Sequence, residues 1–262
     1  VPIGGIYLES ATKCSIRGNN IINNEYGVYA DDSNNIVISG NNITGNPKYG
    51  VGFYSSNNNR VSENNISRNG SGVYSFEGEN NIIDANNIEN NEGDGIWIRL
   101  ANSFQVYGNN IVEHKENSGI RLSVNTTNFM VCDNNLENNR FGVSCYWHDA
   151  GGQAHSAGNF NKVYHNDFLN NSQQVSTVSE SIQSWDNGKE GNYWSDYNGT
   201  DNNGDGIGDT PYVIDDNNRD NYPLMNPVDT KTIPEHSPEI ILPLVITTQL
   251  TVTSCKKWVP KN

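Results

Sequence analysis

The residues whose types and spacing best suit chemistry lie late in the chain, in the run Asp201, Asn202, Asn203, Gly204, Asp205, Gly206, Ile207, Gly208, Asp209. Side-chain oxygens recur at every second position of its first half, and Gly206 permits a sharp turn, as at the opening of a calcium loop. Asp201, Asn203 and Asp205 would supply side-chain ligands, Ile207 its carbonyl, and Asp209 the ninth place. Tyr212 stands where an EF-hand has its bidentate Glu, and Pro211 discourages an exit helix. Another acid, such as Asp215, Asp216 or Asp220, would have to complete the shell. The competing reading is an Asp/Gly turn that needs no metal.

A second group is His148, Asp149 and His155, with His165 in the following turn. Such residues bind transition metals or act as general bases. Their spacing matches no established metal motif, and a plain polar loop is the competing reading. Cys14, Cys132, Cys145 and Cys255 contain no CxxC pair, so neither a disulfide framework nor a thiolate site is signalled. They read as small buried hydrophobes.

What positions these residues is a repeat. The pattern Asn-Asn-apolar occurs at Asn19-Asn20-Ile21, Asn41-Asn42-Ile43, Asn64-Asn65-Ile66, Asn86-Asn87-Ile88, Asn109-Asn110-Ile111 and Asn134-Asn135-Leu136, in steps of 22, 23, 22, 23 and 25. A Gly-apolar marker runs in phase from Gly5-Ile6 through Gly72-Val73 to Gly142-Val143, and a third apolar stretch includes Ile36-Val37-Ile38 and Phe129-Met130-Val131. Three short strands per step, divided by Asn and Gly, make one coil of a solenoid. Leucines are too scarce for a leucine-rich repeat, so the fold class is all-β, a right-handed single-stranded parallel β-helix of about 22–23 residues per coil. Strands about 4.8 Å apart then stack identical residues. Asn20, Asn42, Asn65, Asn87, Asn110 and Asn135 should form a side-chain amide ladder.

Alternation along the strands points Ile6 and Leu8, Ile96 and Ile98, Ile120 and Leu122, and Val143 and Cys145 inward. Outward along the same strand run Tyr7, Tyr29, Tyr74, Trp97 and Arg121, beside a second column of Glu9, Asp31, Tyr54, Phe76, Arg99 and Tyr146. Stacked rings stabilise neighbouring strands. A flat exposed row of them is equally a surface on which a polysaccharide can lie. The step grows to 32 once, between Asn135 and Asp167, and the insert carries Trp147, His148, Asp149 and His155. Insertions in solenoids become loops over one face.

Composition narrows the partners. Hydrophobic residues make up 34% of the 262 and mean hydropathy is −0.68, so bulk apolar burial is not the organiser. A net charge of −14, with 16 basic residues against 30 acidic, argues against nucleic acid.

With its Asn-Asn-Ile and Gly-Ile-Tyr rhythm over residues 1–180, the chain resembles the NosD family of β-helix proteins, common in archaeal cell-surface proteins. The segment Trp185-Asp186-Asn187-Gly188, Gly191 to Tyr197, Asp201 to Pro211 and Asp220 to Met225 looks like that family's C-terminal module, whose aromatics and Pro would cap the open end at residues 181–228. In its characterised branch the family is periplasmic and binds copper during maturation of nitrous oxide reductase, so the resemblance implies copper as a cofactor beside the calcium expected from the loop. Soft Cu(I) ligands would be Cys and Met, yet the methionines are only Met130 and Met225. The same fold serves lyases and epimerases. Here Arg99 and Arg121 would be the bases, and His148-Asp149 is a partial echo of the alginate epimerases' Asp-Pro-His-Asp motif.

After Pro227 the repeat stops, and residues 229–262 read as a linker, an apolar stretch from Ile240 to Ile246, and a basic end at Lys256 and Lys257. A membrane anchor and a peripheral strand are both compatible with it. The expectation is thus an extracytoplasmic monomer that binds a polysaccharide or cell-wall glycan through Tyr29, Tyr54, Tyr74, Phe76, Trp97, Arg99 and Arg121, with a copper-binding maturation factor the second hypothesis and a polysaccharide lyase or epimerase the third. The membrane is a further expected partner, through the tail, and nucleic acid is not.

Overall fold

In a computed structural model the described residues are 4–148, 151–158, 161–178 and 180–228. Among them the chain winds through three parallel sheets of eight, seven and eight strands, each strand pairing with its copies one coil away. One coil illustrates the plan: Ser71–Phe76 lies in the first sheet, Ile82–Asp84 in the second and Asn87–Glu89 in the third. The described residues contain no helix. The fold is the parallel β-helix expected from the repeat.

The core is a set of ladders. Ile21, Ile43, Ile66, Ile88, Ile111, Leu136, Phe168 and Trp194 stack in the third sheet. Ile16, Ile38, Val61, Ile83, Val106, Val131 and Val163 stack in the second. All are buried, as is Cys145. The Gly marker has a steric cause: a Cβ at Gly72 would lie 2.7 Å from Ile88 Cγ2, so the first sheet approaches the isoleucine ladder where only Gly fits.

The Asn doublets split between two jobs. The second Asn of each faces out, and the expected ladder is present, with Asn110 Nδ2 donating to Asn87 Oδ1 at 2.7 Å and Asn135 Nδ2 to Asn110 Oδ1 at 2.8 Å. The first Asn faces in and is saturated. Asn86 Oδ1 accepts from Asn64 N at 3.0 Å and Asn64 Nδ2 at 2.9 Å, while Asn86 Nδ2 is shared among the carbonyls of Val61 and Asp84 and Asn109 Oδ1. The residue before each doublet is left-handed, with φ of 57° at Glu63, 53° at Ala85 and 56° at Asp133. Each such corner costs a non-glycine residue on the order of 1 kcal/mol. The inner amides offset that by satisfying the corner's backbone groups.

At its C-terminal end the solenoid is closed by rings. Phe168, Trp194 and Tyr212 stack face to face with centroids 4.2 Å apart at each step, and Trp185 is fully buried beside them. Tyr193–Trp194 adds a strand to the third sheet, so the edge that would otherwise be open is paired. Trp194 Nε1 donates to Asp220, which sits in the short hairpin of Tyr212–Val213 with Arg219–Asp220.

The two faces of one doublet should therefore respond differently to truncation. Asn86→Ala strands several buried polar groups and is expected to cost about 3 kcal/mol or more, whereas Asn87→Ala, at the solvent-facing ladder, should cost under about 1 kcal/mol. Urea midpoints of the two variants measure the contrast, and equal losses would contradict this division of labour.

Candidate functional site

The expected outward columns lie on the first sheet in the order Tyr7, Tyr29, Gly52, Tyr74, Trp97, Arg121 and Glu9, Asp31, Tyr54, Phe76, Arg99. The last place differs from expectation: Ser123 pairs with Arg99. Tyr146 instead belongs to the hairpin formed by Tyr146–His148 and Ala154–Ser156, because the insertion leaves the sheet at that point. Tyr26 and Tyr49 add a third row, which sequence reasoning missed. Their rings contact Tyr29 at 4.9 Å and Tyr74 at 4.4 Å, and the Tyr29 and Tyr49 rings close over the gap at Gly52.

The rings form one continuous sheet of contacts, from Tyr7 on Tyr29 at 5.7 Å through Tyr29 on Tyr54 and Tyr54 on Phe76 to Tyr74 on Trp97 at 4.9 Å. Tyr74 lies beneath its neighbours, 4% exposed, while Tyr29, Tyr54, Phe76 and Trp97 are half-buried. Burial raises the hydroxyl pKa of Tyr29, Tyr49 and Tyr74, to about 12 at Tyr49, so these groups stay neutral hydrogen-bonding groups at any physiological pH. At one end Arg99 lies over Phe76 at 5.6 Å and Arg121 over Trp97 at 6.0 Å. Arg121 is also ion-paired at 3.1 Å with the buried Asp94, and Trp97 Nε1 donates to Ser123 Oγ at 2.9 Å. A cavity of about 280 Å³ is lined by Glu77, Glu79, Leu100, Ala101, Asn102 and Asn125, of which Glu77 and Leu100 directly follow Phe76 and Arg99 in the chain.

The histidines do not form one cluster. Within the hairpin His148 is opposite Ala154, and His155 is opposite Trp147, so the two are not cross-strand partners. Asp149 and the His148 side chain lie outside the described residues. His165 is held between Asp133 at 3.6 Å and Glu190 at 2.7 Å, and the hydrogen bond to Asp133 raises its pKa. His114 occupies the place of an Asn in a second inner column, after Asn24, Asn46, Asn69 and Asn91. Its Nε2 accepts from Asn91 Nδ2 at 3.1 Å and its Nδ1 donates to Asn139 Oδ1 at 2.9 Å, the arrangement of a neutral imidazole. Burial lowers its pKa to about 4.

In the late Asp-rich run Asp201 accepts from the backbone N–H groups of Gly204, Asp205 and Gly206, and Gly204 and Gly206 take φ of 74° and 86°. Asn203 Oδ1 accepts from Asp205 N, Asp205 from Ile207 N, and Asp209 from Asn202. Among the described residues no group of three or more His, Cys, Asp or Glu is arranged to hold a metal ion. Among the soft donors, Met130 and Cys132 share one strand. Cys132 and Cys145 are buried thiols whose pKa burial raises, to about 12 at Cys145, and the Tyr164 hydroxyl lies 3.4 Å from Met130 Sδ. Cys14 is disulfide-bonded rather than a plain buried thiol.

Residues 2–199 match the family described as periplasmic copper-binding protein (NosD). The chain belongs to the NosD family. Curated NosD proteins, each described as a probable ABC transporter binding protein, are similar to it: that of Stutzerimonas stutzeri is 40% identical over 84 residues, 32% of this chain and 18% of that protein. That of Pseudomonas aeruginosa is 46% identical over 57 residues, 22% and 13% of the respective chains. The similarity thus spans less than a fifth of either relative. Among solved structures, the periplasmic alginate epimerase AlgG is 21% identical with a TM-score of 0.52 over 67% of this chain and 47% of that one. The mannuronan C-5 epimerase AlgE6 A-module of Azotobacter vinelandii is 16% identical with a TM-score of 0.58 over 70% and 53%. At these identities the likeness is one of fold, shared by this NosD-family chain.

His114 gives the NosD-family solenoid a specific pH response. A His whose folded pKa lies below its unfolded value of about 6.5 contributes stability that is complete above that value and is lost as pH falls toward the folded value of about 4. The loss is roughly 3 kcal/mol. Asp167 and Asp220, both raised to about 6 by burial, act in the opposite sense over an overlapping range, so the informative quantity is a difference between variants. His114→Asn restores the column's usual residue. Relative to wild type it should gain stability steadily as pH falls from about 6.5 to 4, read from urea midpoints across that range, and a parallel pair of curves would refute the assignment.

Proposed function

We propose that this chain is an extracytoplasmic, non-catalytic binding protein that holds an extended polysaccharide along the aromatic face of its first sheet. The observation that carries the reading is the continuous ring platform from Tyr7 to Trp97, with exposed edges at Tyr29, Tyr54, Phe76 and Trp97 and with Arg99 and Arg121 at one end. The rings follow one another along the solenoid axis, from 5.7 Å between Tyr7 and Tyr29 to 4.9 Å between Tyr74 and Trp97, so a sugar chain can lie parallel to that axis. Hydrophobic sugar faces stack on such rings while hydroxyls reach the tyrosine hydroxyls and the arginines. Tyr74, beneath the others, serves as the ring on which Tyr54 and Trp97 rest.

Family and neighbours support the setting. The family description is periplasmic, which supports an extracytoplasmic location, and the epimerases of similar fold act, by their names, on alginate and mannuronan. Binding without turnover is favoured because the basic residues of the face are engaged, Arg121 with Asp94 and Arg99 over Phe76, and His114 and His165 are committed elsewhere. Neither arginine is arranged as a general base.

Copper is the reading that the family description favours, and calcium the one that the spacing of Asp201, Asn203, Asp205, Ile207 and Asp209 favours. Calcium ligation at that loop predicts a rise in Tm on adding calcium to chelator-treated protein, abolished in Asp201→Ala. An unchanged Tm would leave the loop as a turn.

For the platform itself, Trp97→Ala should lower glycan affinity by at least about tenfold, since a central ring contributes roughly 1.5 kcal/mol or more, with the far-ultraviolet circular dichroism unchanged. The same substitution leaving affinity intact on a polysaccharide that the wild type retains would remove the platform from the binding surface.

A further inference from the structure

The charge around the platform selects among polysaccharides. Its outer column begins with Glu9 and Asp31, and Glu77 and Glu79 are exposed at its rim, where they line the cavity next to Phe76. Against these four carboxylates stand two cations. Arg121 is already neutralised at 3.1 Å by Asp94, which is buried and also accepts from Ser118 N at 2.9 Å. Arg99 lies over the ring of Phe76 at 5.6 Å. The chain as a whole carries a net charge of −14, so no long-range field compensates. A polyuronate, with one carboxylate per sugar, would lay a row of negative charges along a negatively charged surface.

The cavity adds chemistry of its own. Its polar lining is two carboxylates and two side-chain amides, Glu77, Glu79, Asn102 and Asn125. Carboxylates accept hydrogen bonds and, when ionised, donate none, so they suit hydroxyl groups and reject anions. Asn102 is partly engaged, accepting from Thr127 Oγ1 at 3.1 Å and from Asn128 Nδ2 at 2.8 Å, which orients its amide. Leu100 and Ala101 supply its apolar lining. Acceptors around an apolar lining, at a cavity that opens one residue after Phe76 in the chain, suit a polyol.

We propose that the polysaccharide this face takes is uncharged, a polymer of neutral sugars, and that Glu77 and Glu79 accept hydroxyls of a sugar unit seated beside Phe76. The proposal rests on the glycan-binding reading above and specifies its ligand class. It sets this chain apart from the alginate and mannuronan epimerases that share its fold, whose names point to uronate polymers or to the product of uronate chemistry.

The test is affinity electrophoresis and calorimetry of the described solenoid's full chain with two kinds of probe at low ionic strength. Mixed-linkage glucan and galactomannan are the neutral probes, alginate and polygalacturonate the charged ones. The expected result is retention by at least one neutral polymer, with uronates bound at least about tenfold more weakly, corresponding to one unfavourable charge contact. Glu77→Gln with Glu79→Gln, at exposed positions where the fold tolerates change, should weaken neutral binding by about tenfold and narrow the gap to the uronates. Uronates bound as tightly as neutral polymers would overturn the selectivity while leaving the platform standing. A double variant indistinguishable from wild type on both probes would remove the cavity from recognition. Retention of neither kind would sink the glycan reading itself, and this proposal with it.

Discussion

The inward-facing asparagine amide at each coil corner is the interaction on which the rest of the structure depends. A solenoid with one inward apolar residue per strand in two of its three sheets has a thin core, and hydrophobic burial alone does not fix which coil pairs with which. The amide does. Asn64, Asn86 and Asn109 each hold a backbone N–H of the preceding coil and the side chain of the next within about 3 Å, so a slip of one residue would break every rung. Register is therefore specified by polar geometry in a dry setting, where an unmade hydrogen bond is expensive.

Once register is fixed inside, the outside is free to vary by column. Each outward position becomes a row with a spacing set by the coil, and the sequence can fill that row with rings, acids or amides without touching the core. The first sheet uses this freedom most. Its strands are the longest, six residues in Tyr26–Asp31, Tyr49–Tyr54 and Ser71–Phe76, and they carry three aromatic rows where the second and third sheets carry three-residue strands. Ring contacts across these rows contribute on the order of 1 kcal/mol each, so the platform stabilises the sheet whether or not a ligand lies on it. The two readings of the stripe that the sequence left open are in this sense compatible: packed rings make a rigid surface, and rigidity lowers the entropic cost of holding a flexible chain.

The sequence made the fold legible because its signal is periodic. Asn20, Asn42 and Asn65 recur at a fixed step, and so do Gly27, Gly50 and Gly72, whose steric need against the isoleucine ladder leaves no substitute. The inner asparagines were legible too, by the same alternation that was applied to the strands. Asn41 is two residues before the inward Ile43, and so it faces inward. The third aromatic row was harder to see because Tyr26 and Tyr49 are followed by Ser71 at the next step, which breaks the column after two members. The cavity was hidden for another reason. Glu77, Leu100 and Asn125 are left-handed, with φ of 54°, 51° and 53°, and alternation rules end where the backbone leaves the strand.

The metal motifs show where spacing alone stops being informative. In the Asp201 to Asp209 run the side chains that would ligate a cation accept hydrogen bonds from their own loop, as Asx turns do. A spacing that suits calcium and a spacing that suits a self-satisfied turn are the same spacing, because both require oxygens aimed at the concave side of a tight backbone. The histidines make the complementary point. His114 is a substituted ladder rung and His165 a bridge between Asp133 and Glu190, so their partners lie one coil away in space and about 25 to 32 residues away in sequence. In a solenoid, neighbours that matter are a full turn apart, and a motif read along the chain misses the residues stacked above and below it.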